Sequence, residues 1–261
     1  MKVLFMGDVM GEPGARAIQT FLPSLRAQVR PDLVIANGEN MAEGAGLNQA
    51  NALLLLDAGV DVVTNGNHVW DKAQTWSLIA QDSRLLRPHN MPPGSPGSGW
   101  WVGRASSGAQ VGVLNLLGTT FMHPVVGCPF RHADAVLETK PSDVKIIIVD
   151  FHAETTLEKT ALGWYLNGRV SAVLGTHTHI PTADERILAG GTAYITDAGM
   201  CGCYDSAIGL GIENALQRFV AKRPAPYDVA AGRATLCAVL VEIDDSTGRA
   251  IAIQRIRRDE V

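Results

Sequence analysis

Lys2-Val3-Leu4-Phe5-Met6-Gly7-Asp8 is the stretch whose reading decides the fold: an apolar run closed by a glycine and an acid. The run reads as a strand, and the Gly-Asp pair sets a ligand-capable side chain at its carboxyl end. The same grammar recurs along the chain. Asp32 to Ala36 is followed by Gly38-Glu39-Asn40, and Asp61 to Thr64 by Gly66-Asn67-His68. Lys145 to Phe151 leads into His152, and Val170 to Leu174 into Gly175-Thr176-His177-Thr178-His179. Val111 to Leu117 and Thr192 to Thr196 complete the central strands.

Between these runs, Gly14 to Val29, Asn48 to Ala58, Ala73 to Gln81, His132 to Lys140 and Glu154 to Leu166 space their apolar residues as helices do. Pro23 is expected to kink or split the first of them. Strands alternating with helices predict an α/β fold. Thr235 to Ile243 and Arg249 to Ile256 alternate apolar and polar residues around Asp244-Asp245-Ser246-Thr247-Gly248, and this hairpin predicts a second, partly antiparallel sheet. The Pro/Gly-rich stretch Pro88 to Gly99 reads as a surface loop.

With 261 residues, 46% hydrophobic and 18% charged, the chain fits one domain over 1–261. No export signal is visible, no apolar stretch approaches the ~20 residues of a membrane span, and four scattered cysteines fit reduced thiols; a soluble, cytoplasmic protein is expected. A net charge of -4 argues against wrapping long nucleic acid, which needs a basic face.

In open α/β sheets ligands bind beyond the carboxyl ends of the strands, so Asp8, Glu39, Asn40, Asn67, His152, His177 and His179 are expected to converge on one rim if their strands are neighbours. The glycines are expected to let the backbone turn sharply there. His177 and His179 stand two apart, which in an extended segment points both imidazoles the same way. A mixed set of imidazoles, carboxylates and amide oxygens suits Mn, Fe, Zn or Co. Two such ions leave net positive charge for an anionic substrate. Singly, Asp8 and Gly38-Glu39-Asn40 are ordinary turn residues and His152 an ordinary strand-end histidine; their joint placement is what points to a site.

In order and placement these residues resemble the calcineurin-like metallophosphoesterases, whose pattern runs D-x-H, G-D, G-N-H-[DE], a lone His and G-H-x-H. Asp8-Val9-Met10, Gly38-Glu39-Asn40, Gly66-Asn67-His68, His152 and His177-Thr178-His179 occupy those places. Met10, Glu39, Val69 and Thr176 depart from the pattern, and the variant set resembles the YmdB-like bacterial branch. The resemblance implies a metallophosphoesterase-like four-layer α/β/β/α sandwich of two mixed sheets and a phosphodiesterase acting on small phosphodiesters, with 2′,3′-cyclic nucleotides as substrate class. It implies two divalent transition metal ions, Fe or Mn favoured. One would take Asp8, Glu39, Asn40 and His179, the other Glu39, Asn67, His152 and His177, with Asn40 compensating for Met10. His68 is left as proton donor to the leaving oxygen while a metal-bridging hydroxide attacks phosphorus.

The loop Gly118 to Phe130 is a candidate pocket wall, while His89, His123 and His132 read as surface residues. Alternatives are a phosphomonoesterase, for which Arg16 and Arg131 would be candidate phosphate grips, and a non-catalytic metal-dependent nucleotide or RNA-binding regulator, against which His68 speaks. A homo-oligomer is compatible with every one of these readings.

Overall fold

The computed structural model describes residues 1–261. The first third of the chain supplies β1 (Lys2–Met6), β2 (Asp8–Val9), α1 (Gly11–Val29), β3 (Leu33–Asn37), α2 (Gln49–Asp57), β4 (Val62–Thr64) and α3 (Gln74–Gln81). The middle supplies β5 (Trp100–Arg104), β6 (Gln110–Leu117), α4 (Pro129–Thr139), β7 (Ile146–His152), α5 (Thr156–Tyr165), β8 (Ala172–Thr176), β9 (Arg186–Ile187) and β10 (Ala193–Ile195). The rest holds β11 (Met200–Cys203), α6 (Ile212–Phe219), β12 (Ala234–Ile243) and β13 (Ala250–Asp259).

Side chains alternate across a strand, and the central strands are apolar on both faces, so each face needs its own core. Val3, Phe5, Leu33 and Ile35 enter one core together with Ile146 and Ile148 of the other sheet. Leu4, Met6, Val34 and Ala36 face Ile18 and Leu22 of α1 and Leu55 of α2. Ile147, Val149 and Phe151 face Ala133 of α4 and Leu162 of α5. Three cores in a stack make four layers, α/β/β/α, as the family resemblance implies.

One sheet runs β2-β11-β12-β1-β3-β4 with β13 on the edge of β12; the other runs β5-β6-β7-β8-β10-β9. The strands β1, β3 and β4 are mutually parallel, as are β6, β7, β8 and β10. The C-terminal hairpin does not found the second sheet, contrary to expectation. β12 lies antiparallel to β1, Lys2 opposite Glu242 and Met6 opposite Ala238. Nearly every residue of β12 is buried, so it fits only inside a sheet, and the open edge of β1 accepts it. The second sheet comes instead from the middle of the chain.

Pro23 does not split α1, which runs unbroken over 19 residues. Pro23 and Gln19 both face solvent, where water can take the carbonyl that the missing N–H leaves free. Asn48 caps α2 by accepting from the Asn51 amide at 2.9 Å, and Thr155 caps α5 through the Glu158 amide. The stretch Pro88 to Gly99 is only partly a surface loop. Asn90 is buried in it and donates to the carbonyls of Leu117 and Gly127, both at 2.7 Å. No helix is long and apolar enough to cross a membrane.

Candidate metal centre

Every residue singled out for ligation sits just past, or at the end of, a strand. Asp8 opens β2, Glu39 and Asn40 follow β3, Asn67 follows β4 with the proton-donor candidate His68 beside it, His152 ends β7, and His177 and His179 follow β8. They meet across two sheets, however, and not on one rim: the carboxylates and amides come from the first sheet, the imidazoles from the second. Burying Val3, Phe5, Ile146 and Ile148 against each other aligns the two rims, so the inter-sheet core is what assembles the site.

The glycines serve close approach rather than sharp turning. Gly7, Gly38, Gly66 and Gly175 all keep negative φ. A Cβ on Gly66 would lie 2.2 Å from Glu39 Oε2 and 2.3 Å from His152 Nε2, and one on Gly7 would lie 1.8 Å from the Gly199 carbonyl oxygen. The turning is done by the histidines themselves. His177 has φ +103° and His179 φ +65°, conformations rarely adopted outside glycine, and these kinks, not strand alternation, bring both imidazoles into one cavity.

His152 Nε2 lies 3.0 Å from each of Glu39 Oε1, Asn67 Oδ1 and His177 Nδ1. One ring nitrogen carries at most one proton, so these lone pairs converge on a point that a hydrogen bond cannot fill. A second convergence lies beside it. His179 Nδ1 is 2.8 Å from the Ile208 carbonyl, which can only accept, so in the neutral ring the free lone pair is on Nε2, and Nε2 faces Asn40 Oδ1 at 3.3 Å. The Asn40 amide nitrogen donates to the Gly44 carbonyl at 3.0 Å, which fixes the inward aim of its oxygen. Asp8 Oδ2 accepts from the His177 amide at 3.0 Å, while its buried Oδ1 has no hydrogen-bond partner.

The electrostatics of the cluster favour positive charge at the same place. Burial pushes Asp8 up from its ordinary value. For Glu39, burial is outweighed by the imidazoles of His152, His68 and His177, which hold it at about 2. Burial would depress His152, yet Glu39 and Asp8 carry it to about 9; His177, buried beside it, falls to about 3. A metal ion can replace that forced proton and engage the unpartnered Asp8 oxygen. The donor set of carboxylate and amide oxygens with imidazole nitrogens fits divalent transition ions. Glu39, His152 and His177 alone bring three ligand atoms within 4.8 Å of one another.

Supporting residues that sequence reasoning missed hold the ligands in place. His152 Nδ1 donates to Thr176 Oγ1 at 2.9 Å, and Thr176 donates to Asp150 at 2.7 Å. Asp150 also accepts from Asn37 and Thr64 and so ties β3 and β4 to β7 and β8 across the sheets. Burial raises it to about 6. Glu154 is 2.9 Å from His177 Nε2, and Asp71 is 2.7 Å from His68 Nδ1. Lys159 and Asp197, both buried, pair at 2.6 Å; Asp197 accepts from the Thr178 amide and Lys159 donates to the Thr176 carbonyl, bracing the backbone around His177. A charge inside an otherwise apolar strand or helix face, as at Asp150 and Lys159, is the signal that could have found them.

The cavity in front of this cluster measures about 620 Å³ and is closed by Met10, Glu43, Ile208, Leu210 and Tyr227 besides the ligand-capable residues. Segment 208–227 was not anticipated as a wall. Loop Gly118 to Phe130 contributes nothing to the lining: Glu158 ties down Thr119 and Thr120, and Met122 is buried in the core. Arg16 pairs with Glu12 and Glu260, and Arg131 is an exposed partner of Asp134; neither reaches the cavity. His123 is exposed, but His89 and His132 are partly buried and face each other at 3.2 Å, so only the first is a true surface histidine.

Comparison with known proteins adds a family, a relative and two solved structures. The family model described as YmdB-like protein matches residues 4–256. A Bacillus subtilis (strain 168) protein named 2′,3′-cyclic-nucleotide 2′-phosphodiesterase is 45% identical over 98% of this chain and 96% of its own. Among solved structures, a hypothetical protein from Thermus thermophilus superposes with a TM-score of 0.94 at 45% identity, covering 100% of both chains. A phosphatase from Mycoplasma pneumoniae also reaches 0.94, at 36% identity over 99% of this chain and 93% of that one.

Proposed function

Because the chain belongs to the YmdB-like family, we propose that it is a metal-dependent phosphodiesterase that opens 2′,3′-cyclic nucleotides at the 2′ oxygen. The name of the Bacillus subtilis relative supports the substrate, and the makeup of the cavity wall carries the preference for a diester. No Arg or Lys lines that cavity. A monoester dianion benefits from such clamps, whereas a singly charged diester does not need them once ions are bound.

Two divalent ions would be held, one by Asp8, Glu39, Asn40 and His179, the other by Glu39, Asn67, His152 and His177, with Glu39 shared. Mn or Fe is favoured, and Zn or Co is compatible with the same donors. When bound, such ions supply Lewis acidity toward the phosphate oxygens. The chain's own residues do the rest. Asn40 and Asn67 add donors without adding negative charge, so the site keeps its attraction for an anion. His68 lines the cavity with Nδ1 engaged by Asp71, leaving Nε2 for substrate. As water adds to phosphorus, releasing one proton to solvent, and the P–O2′ bond breaks, His68 gives its proton to the departing ribose oxygen, which is a poor leaving group as an alkoxide, and regains one from solvent. The apolar wall of Met10, Ile208 and Leu210 restricts water on one side. Four free cysteines support a reducing, cytoplasmic setting.

The test is a phosphoester panel on metal-loaded protein, with elemental analysis of the same sample. Up to two transition ions per chain are expected, with kcat/KM higher for 2′,3′-cyclic nucleotides and bis-p-nitrophenyl phosphate than for p-nitrophenyl phosphate in one buffer. Preference for the monoester would replace the diesterase reading with a phosphatase; turnover that survives complete metal removal would end both.

A further inference from the structure

One aromatic residue on the cavity rim has no part in the chemistry above. Tyr227 is 65% exposed, although a tyrosine at the mouth of a partly apolar cleft would ordinarily fold its ring against that wall. The ring is nevertheless held. The Arg218 guanidinium stacks over it at 3.7 Å from the centroid and donates to the Ala225 carbonyl just upstream. The backbone that follows the ring's attachment is pinned twice: the Gly211 amide donates to the Asp228 carbonyl at 3.0 Å and the Ala230 amide to the Gly209 carbonyl at 2.8 Å. Asn214 adds a bond to the Asp228 carboxylate at 3.1 Å. With Arg218 on one face, the exposed area belongs to the other face and the edge. A fixed, flat, half-open aromatic surface at the mouth of an anion site is what a nucleobase stacks on, and a cation behind the ring stiffens it.

The surroundings say how long the ligand can be. Tyr227 stands between the metal-centre cavity and a larger hollow of about 1110 Å³ that shares Glu43 and Asp71 with it. That hollow also presents Glu12 and Asp228, and its one cation, Lys72, is already paired with Glu43 at 3.1 Å. A nucleic acid running on past Tyr227 would set its next phosphates against carboxylates, the reverse of the basic track that such chains need. The smaller cavity, at about 620 Å³, lies within the range of ~300–1,000 Å³ typical of small-molecule sites.

Resting on the phosphodiesterase reading, we propose that Tyr227, backed by Arg218, is the nucleobase platform of this site, and that the acidic hollow beyond it restricts the substrate to mononucleotides. Tyr227 sets specificity by stacking and takes no part in bond breaking.

The experiment compares wild type, Tyr227→Ala and Tyr227→Phe on adenosine 2′,3′-cyclic phosphate and on its abasic analogue, 1-O-methylribose 2′,3′-cyclic phosphate. Tyr227→Ala should lower the ratio of kcat/KM between nucleotide and analogue by about 5- to 100-fold, the worth of one base–aromatic stack, with the change in KM; Tyr227→Phe should restore it. Equal losses on both substrates, or a loss confined to kcat, would overturn the platform. An oligoribonucleotide ending in a 2′,3′-cyclic phosphate should be turned over less efficiently than the mononucleotide, and the opposite order would overturn the size restriction. Calorimetric binding of adenosine 3′-monophosphate separates this proposal from the one it rests on. Weaker binding to Tyr227→Ala than to wild type sustains the platform even if no diester is hydrolysed, and equal binding, or none to wild type, removes it.

Discussion

At the residue scale, Asn40 and Met10 are the pair on which the proposed ligand set can be tested. Met10 is buried at the start of α1 with its thioether against Gly44 and Gly209, and it offers only a soft ligand to a site of hard and borderline donors. Asn40 aims its amide oxygen at His179 Nε2. On the proposed two-ion site, Asn40→Ala should therefore lose one ion by elemental analysis, while Met10→Leu should keep the wild-type content; the reverse pattern would transfer the role to the thioether. Asp71 is the other residue whose contacts assign it work. Its carboxylate beside His68 Nδ1 fixes the tautomer and aim of that ring, as a carboxylate does for catalytic imidazoles in general. Asp71→Asn should lower kcat about tenfold on a cyclic nucleotide, a part of the ~10²–10⁴-fold worth of a positioned acid. It should do far less to bis-p-nitrophenyl phosphate, whose leaving group needs no proton, and metal content should not change.

At the scale of elements, α5 does more than cover the second sheet. Its Lys159 reaches through the layer to Asp197 and to the carbonyl of Thr176, and Asp197 holds the Thr178 amide between the two kinked histidines. Residues held at φ +103° and +65° stay there only when their surroundings over-determine them. Lys159→Met would strand the Asp197 carboxylate in the interior. Breaking a buried pair from one side costs about 3–5 kcal/mol, and urea denaturation should register a loss of that size. Metal binding should weaken as well, because the segment 176–179 loses its brace. Unchanged stability in that variant would mean that the amides of Thr178 and Gly199 satisfy Asp197 unaided.

The whole molecule stores the repulsion of its own site. Buried Asp8 and Glu39 lie against a cluster of lone pairs, and His152 stands at about 9 because those carboxylates hold a proton on it. Ions that bind this arrangement, and not the unfolded chain, stabilise the fold by mass action, by about 2.7 kcal/mol at a hundredfold excess over Kd. Chelation should therefore lower Tm by several degrees as well as abolish hydrolysis, and scanning calorimetry of the loaded and stripped protein checks it. Equal midpoints would mean that the folded chain gains nothing from the ions.

The amino-acid sequence by itself determined the ligand-capable side chains and their order. Apolar runs such as Val3 to Met6 and Ile146 to Val149 must be buried as strands, and Gly7-Asp8, Gly38-Glu39-Asn40, Gly66-Asn67 and His152 mark where those strands stop, which are local facts of period and composition. Only the tertiary structure decided how the strands are partitioned. Nothing local says that β12 returns more than 200 residues later to pair with β1, Met6 opposite Ala238, or that the imidazoles belong to a different sheet from Asp8 and Glu39. Strand pairing and sheet stacking are chosen by which buried faces fit one another, a property of the folded whole. For the same reason Asp150, Lys159, Asp71 and Tyr227 escaped the sequence reading. Their meaning lies in partners 3 to 113 positions away, and an isolated charge or ring in a sequence does not name the group that it will meet.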